Sequence, residues 1–204
     1  MKLYLLRHGR TLWNEEGRLQ GRTDVPLSEE GRRSALAAGA ALGNVSFDAA
    51  FSSPLQRARE TAELILQGKN VLIQTDARLI ELSFGAAEGM RLCDFQEEQR
   101  PTRTLFAAPE CYVPPTGGES YEALVRRCRS FLDKRIVPEE TRWAHVLVVA
   151  HGAAVRGLFS AMLGAESGRI YGGRVQKNCA VNVINCTGGV FLAERVAKEF
   201  CEDV

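Results

Sequence analysis

Arg7-His8-Gly9 sets a guanidinium and an imidazole side by side, followed by a residue without a side chain that lets the backbone approach a ligand closely. His151-Gly152-Ala153 repeats the imidazole–glycine step much later in the chain. Between them, Ser53-Pro54-Leu55-Gln56 has an N-cap serine, a proline at the first helical position and a glutamine three residues after the cap, which predicts a helix start. Arg57 falls in the first turn of that helix, where a cation adds to the positive end of the helix dipole. Asn14 and Gly21 lie in an intervening polar loop, with Arg10, Arg22 and Asn178 as candidates for the pocket mouth. Two arginines, two histidines and two helix N-termini brought to one point suit a tetrahedral oxyanion, and phosphate is the natural one. His145 and Trp13 are read as structural.

Elements that could bring these residues together follow from the apolar pattern. Residues 2–6 form a short apolar strand ending at Arg7-His8, and Ser28 caps an Ala-rich helix running to about Leu42. A strand at 47–51 precedes the helix that Ser53 begins, whose apolar stripe is Leu55, Ala58, Ala62 and Ile65, and 71–75 forms a third strand. From Tyr121 to Leu132 an amphipathic helix is predicted, broken by Pro138. His145–Ala150 is the near-continuous apolar run of a strand buried on both faces, with a helix after it. Residues 180–184 and 190–196, joined across Thr187-Gly188-Gly189, read as an edge hairpin that offers a surface for a homodimer.

This alternation predicts a three-layer α/β/α sandwich with a mostly parallel mixed sheet, one domain over residues 1–204. Four of the seven prolines (Pro101, Pro109, Pro114, Pro115) mark a lid-like insertion at about 86–118, expected outside the core. In such sheets ligands bind beyond the carboxyl ends of strands, where His8 and His151 both stand.

Lys and Arg (26) balance Asp and Glu (25) at a net charge of +1, which argues against nucleic acid or an anionic membrane surface as partner. The N-terminal apolar run is too short for a signal segment, and no run reaches roughly 18 apolar residues, so a cytoplasmic location is expected. The six cysteines contain no C-x-x-C pair, so neither a zinc ribbon nor a redox dithiol is expected, and they are read as small buried thiols.

Longer stretches carry a resemblance. Leu6-Arg7-His8-Gly9-Arg10-Thr11 with Asn14, then Gly21, Asp24, Pro26-Leu27-Ser28-Glu29 and Gly31, closely resembles the opening of the histidine phosphatase superfamily, the phosphoglycerate mutase-like proteins. Ser52-Ser53-Pro54-Leu55 with Arg57-Ala58 and Glu60-Thr61, Glu81-Leu82 with Phe84-Gly85 and Glu88-Gly89, Gly117-Gly118-Glu119-Ser120, and Val149-Ala150-His151-Gly152 follow in the family's order. One departure is Arg10, where the family usually has Glu or Gln.

The resemblance implies the phosphoglycerate mutase-like fold and phosphoryl transfer through a phosphohistidine. It implies that His8 is the nucleophile, that Arg7, Arg57 and His151 clamp the non-bridging oxygens, and that Glu81 is the general acid and then the base. Asn14, Gly21, Arg22, Gly152 and Ala153 are expected to bind substrate. No metal and no cofactor are implied, and the partner is a small phosphate ester. The expected activity is metal-independent phosphomonoester hydrolysis of the broad-specificity or α-ribazole phosphatase type. A 2,3-bisphosphoglycerate-dependent mutase is the alternative, disfavoured because such mutases are usually longer and typically carry a Glu-Arg-His-Tyr-Gly-like segment where this chain has Glu81-Leu82-Ser83-Phe84-Gly85. Outside catalysis, a phospho-ligand-binding module would use the same pocket, and a metallophosphatase is disfavoured because flanking arginines repel a cation.

Overall fold

A computed structural model describes residues 1–95, 99–164 and 175–198. The chain runs β1 (Lys2–Arg7), α1 (Leu12–Glu15), α2 (Glu29–Ala41), β2 (Ala49–Ser52), α3 (Gln56–Ile65), β3 (Ile73–Thr75), α4 (Pro101–Ala107), α5 (Tyr121–Phe131), β4 (His145–Ala150), α6 (Gly152–Leu163), β5 (Val181–Thr187) and β6 (Val190–Lys198). Strand alternation sets the layering. Leu3 and Leu5 of β1, with Val146 and Val148 of β4, join one apolar cluster, whereas Tyr4, Leu6, Leu147 and Val149 join the other. Both strands are therefore covered on both faces. Ala35, Ala38, Ala58, Ala62 and Ile65 of α2 and α3 close one face, and Leu124, Phe131, Val155, Leu158 and Phe159 of α5 and α6 close the other. Each large side chain buried in this way contributes about 1.5–3 kcal/mol.

The sheet order is β3-β2-β4-β1-β5-β6, with β3, β2, β4 and β1 parallel and the β5–β6 hairpin antiparallel at the edge. This is the expected mostly parallel α/β sandwich. The strands expected at 47–51 and 71–75 start two residues later, and the hairpin runs further than expected on both sides of its turn. After α5 the helical turns widen over Leu132–Ile136 and tighten over Val137–Glu139, where Pro138 ends them.

Ser28 Oγ caps α2 by accepting from Gly31 N (3.2 Å), as expected. The helix expected to begin at Ser53 does not. Leu55 is the N-cap of α3 and Asp24 Oδ1 accepts from Gln56 N (2.8 Å), while the Ser53 hydroxyl oxygen accepts from Leu55 N (3.3 Å), one turn position before the helix proper. The proline-rich stretch is also not outside the core: Ala87, Leu105, Phe106 and Tyr112 pack into the same cluster as Leu3 and Leu5. Pro101 and Pro109 stand at the first position of short helices, where the missing N–H costs nothing, so the chain stays helical enough to present an apolar face. Cys128, Cys179 and Cys186 are buried thiols, burial pushing Cys128 up to about 12 and Cys186 to about 11, but Cys93 and Cys111 are exposed. Cys201 lies outside the described residues.

Candidate active site

The parallel register pairs Arg7 with Ala150, so the next residues, His8 and His151, emerge side by side at the carboxyl edge of the two central strands. Their ring centroids are 5.1 Å apart and both rings are buried. His8 Nδ1 lies 2.7 Å from the Gly9 carbonyl oxygen, which only accepts, so Nδ1 carries the hydrogen and Nε2 keeps its lone pair. The turn that supplies this carbonyl is tied to α3, since Gly9 N donates to Thr61 Oγ1 (2.9 Å) and Thr61 Oγ1 donates to Arg57 O (2.6 Å).

His151 is held in the complementary tautomer. Arg57 Nε donates to its Nδ1 (3.2 Å), so the hydrogen sits on Nε2, which donates to Ser53 Oγ (2.7 Å). Ser53, expected as a helix cap, is thus a partner of His151. Both histidines are held neutral, well below their ordinary 6.5, first by burial and then by Arg57. Arg7 adds to this at both rings, while the Gly9 carbonyl opposes it at His8.

That neutrality has a consequence for stability. With folded values below the unfolded 6.5, the unfolded chain binds more protons as pH drops. The contribution of these histidines is complete above about 6.5 and is lost as pH falls toward their folded values. Thermal melts are expected to show Tm falling between roughly pH 7 and pH 5, above the range in which carboxylates titrate, and falling less in a His8→Gln variant. A flat profile in the wild-type chain would refute this.

Arg57 is fully buried and spends its guanidinium on three neighbours, donating also to Thr23 O (2.8 Å) and Gly21 O (2.7 Å). Burial lowers it to about 10, partly offset by Glu81 and Asp24, so it stays charged at neutral pH. Arg7 donates through NH1 to Gln176 O (2.6 Å), while its Nε is buried without a hydrogen-bond partner among the described residues. An orphaned guanidinium donor at the mouth of two neutral imidazoles fits an oxyanion acceptor.

Glu81 is buried, and its carboxylate caps α6. Oε1 accepts from Leu82 N (2.8 Å) and Ala154 N (3.0 Å), and Oε2, among the described residues, from Ala153 N alone (3.1 Å). The helix terminus that the sequence offers to an anion is therefore occupied by this side chain, and Ala153 points its N–H at Glu81. A Cβ on Gly152 would lie 3.1 Å from Val175 Cγ1, 3.7 Å from Arg7 Nε and 3.8 Å from Glu81 Oε2, so a side chain here would crowd Val175 and intrude on both polar groups. The Glu81 carbonyl is gripped by Arg127 (3.1 Å) and Arg22 (3.3 Å), both also bonded to Glu119.

Asn14 folds its Oδ1 back on the Thr11 N–H (3.2 Å) and hydroxyl as the closing half of a capping box for α1. Asn178 donates to the His8 carbonyl (2.9 Å). Arg10 is exposed and its charge acts on Glu30 of α2, and Trp13 packs on Gly89. His145 stands at the opposite end of β4 against Tyr4. Ser53 and Thr61 are site neighbours whose roles the pattern did not give, and Gln176 is one that it did not mark at all. The first two were visible as motif residues, but Gln176 acts through its backbone carbonyl, which no side-chain pattern announces. Among the described residues no group of three or more His, Cys, Asp or Glu could hold a metal ion, and no helix is long and apolar enough to cross a membrane.

Comparison with known proteins agrees with this geometry. Residues 3–199 match the model of the histidine phosphatase superfamily, branch 1. The chain is 31% identical over 205 residues to a protein from Erwinia tasmaniensis named "Probable phosphoglycerate mutase GpmB", covering 100% of this chain and 94% of that one. Among solved structures it is similar to the α-ribazole phosphatase from Shigella flexneri (TM-score 0.82, 25% identity, 97% and 96% of the two chains). It is also similar to a mycobacterial glucosyl-3-phosphoglycerate phosphatase complexed with VO3 (TM-score 0.82, 26% identity, 96% and 98%). With the family's motifs meeting at one end of the sheet and the match running nearly end to end, the chain belongs to the histidine phosphatase superfamily and is an enzyme acting on phosphate esters.

Proposed function

We propose that this protein is a metal-independent phosphomonoesterase that hydrolyses small phosphorylated metabolites through a phosphohistidine on His8. The observation that carries the reading is the fixed tautomer of His8, whose Nδ1 is committed to Gly9 O so that Nε2 keeps its lone pair, in a site where the Arg7 charge acts on the ring and Arg7 Nε has no partner among the described residues. In this reading Nε2 attacks phosphorus as the ester P–O bond breaks, and Arg7, Arg57 and His151 stabilise the non-bridging oxygens. Arg7 Nε and the remaining Arg57 N–H bonds donate directly. His151, neutral, acts through the Nε2–H now given to Ser53. The departing alkoxide takes a proton from Glu81. Oε2 is the oxygen suited to hold it, because Oε1 already has two donors. The resulting carboxylate then takes a proton from water, which attacks phosphorus, releases orthophosphate and restores His8.

Asn14, Gly21, Arg22, Gly152 and Ala153 are assigned to the pocket wall, Gly152 by keeping a side chain away from Arg7 Nε and Glu81 Oε2 and Ala153 by orienting Glu81. The 86–118 insertion is where this reading places the choice of alcohol. It supplies Tyr112, whose buried hydroxyl lacks a hydrogen-bond partner among the described residues and whose pKa is raised by burial, then by Glu119 and Glu81. Two named structural relatives are phosphatases, of α-ribazole and of glucosyl-3-phosphoglycerate, whereas the Erwinia relative carries a mutase name. The deciding experiment follows phosphate release from a panel of phosphate esters in EDTA. In parallel, 3-phosphoglycerate with catalytic 2,3-bisphosphoglycerate is assayed for both 2-phosphoglycerate and free phosphate. Hydrolysis that survives chelation and is inhibited competitively by vanadate is expected. Isomerisation outrunning phosphate release by about tenfold, a difference of about 1.4 kcal/mol between the two fates of the phosphohistidine, would establish the mutase instead.

A test of Glu81 follows. Glu81→Gln is expected to slow esters of poor leaving groups by roughly 10²-fold or more, while p-nitrophenyl phosphate, whose phenolate needs little protonation, loses far less. Equal loss for both substrates would remove Glu81 from the acid role.

A further inference from the structure

Glu88 is half-buried, and its four side-chain hydrogen bonds among the described residues bind one short segment to another. Oε1 accepts from Arg22 N (3.0 Å) and Phe84 N (3.1 Å), and Oε2 from Thr23 N (3.0 Å) and Thr23 Oγ1 (2.7 Å). The segment it holds supplies the two carbonyls, Gly21 O and Thr23 O, that receive the terminal nitrogens of Arg57. Through its third donor Arg57 reaches His151 Nδ1. An unbroken chain of hydrogen bonds thus runs from the Glu88 carboxylate through the backbone of Gly21–Thr23 to the guanidinium and then to the imidazole. Gly21 shows how close the approach is. Its φ is +54°, and a Cβ there would collide with the Glu88 carboxylate, so both the turn and the contact require glycine.

We propose that Glu88 is a positioning residue for phosphoryl transfer, acting through the Gly21–Thr23 backbone to set Arg57 and, through it, His151. This rests on the oxyanion clamp described above, but not on which ester is cleaved. The chemistry at Glu88 is acceptor-only. A carboxylate can meet three backbone N–H groups and a hydroxyl at once, whereas an amide of the same shape turns an NH₂ toward N–H donors. A glutamine should therefore fail almost as badly as an alanine, which would not hold for a residue that only fills space.

The experiment measures tungstate affinity by calorimetry, together with kcat and KM for p-nitrophenyl phosphate and an alkyl phosphate, in the full chain. Glu88→Gln and Glu88→Ala are expected to weaken tungstate and to lower kcat/KM by roughly 10²-fold, the scale of an ångström-level misplacement. The factor should be the same for both leaving groups. In an Arg57→Ala background Glu88→Gln should add little, because the two lie on one chain of contacts. Thr23→Val, which deletes only the hydroxyl bond, is the variant that should fold even if the Glu88 changes do not, and it should show a smaller loss in the same parameters while the chain stays folded at the assay temperature. The proposal is overturned if tungstate affinity in Glu88→Gln or Thr23→Val matches wild type. It is equally overturned if the losses of Glu88→Gln and Arg57→Ala simply multiply, or if the loss is confined to the alkyl phosphate, since Glu88 would then be the proton donor. Tungstate binding is read without turnover. A wild-type chain that binds tungstate but cleaves no ester therefore counts against the hydrolase reading and leaves the Glu88 comparison intact.

Discussion

His8→Ala is expected to lower kcat by roughly three orders of magnitude or more, with far less effect on KM, because it removes the atom that forms the covalent bond rather than a binding contact. The fold should survive the change. Among the described residues the His8 side chain makes its hydrogen bond to the neighbouring Gly9 carbonyl, so its removal leaves no distant partner unsatisfied. Rapid quench of the wild-type chain with labelled ester should leave phosphate on the protein that is labile in acid and stable in base, as a phosphoramidate is, and His8→Ala should leave none. A variant that keeps a tenth of wild-type turnover would end the phosphohistidine assignment.

Arg57→Ala should come next in size, with kcat falling by about 10²–10³-fold as one preorganised oxyanion donor is lost. A further loss in kcat/KM should appear as the clamp loosens in the ground state. The structure gives a reason for the size of the effect beyond the missing charge. Without the guanidinium, the carbonyls of Gly21 and Thr23 lose their donor and His151 Nδ1 loses its only described partner, so a tautomer and a loop are released together. Arg57→Lys should rescue little, since an ammonium at the end of a flexible chain cannot reach two carbonyls and an imidazole with the fixed fork that arginine provides. Vanadate inhibition should weaken in parallel in both variants. A lysine variant within about threefold of wild type, under 1 kcal/mol, would show that charge alone suffices at this position.

Much of the frame was legible in the residues. The apolar run of β4 declares a strand covered on both faces, since no other environment accepts Val146 through Ala150 without a polar side. Ser28 declares the start of α2 because a hydroxyl before a helical run can take the orphan N–H three residues on, and here it does. Arg7-His8 and His151, each at a strand end, declare a shared site once the strands are read as parallel, and the β1–β4 register then brings the rings together.

What the sequence could not decide was the use of groups with more than one satisfactory partner. Ser53 has the signature of a helix cap, but its hydroxyl oxygen accepts only from Leu55 N (3.3 Å) nearby and makes its shorter bond (2.7 Å) to His151, which lies 98 residues away. The N-terminus of α6 looks open to an anion, yet Glu81 crosses 72 residues to take the Ala153 N–H, because a buried helix end must satisfy its donors in the resting state. Likewise the prolines of residues 101–115 signalled an excursion, while Leu105, Phe106 and Tyr112 went into the core, since apolar area removed from water outweighs local chain irregularity. Local chemistry specifies which atoms need partners, and at this site the tertiary structure chose among the partners, because hydrogen-bond competition between residues far apart in sequence is settled only where the strands and helices bring them within about 3 Å.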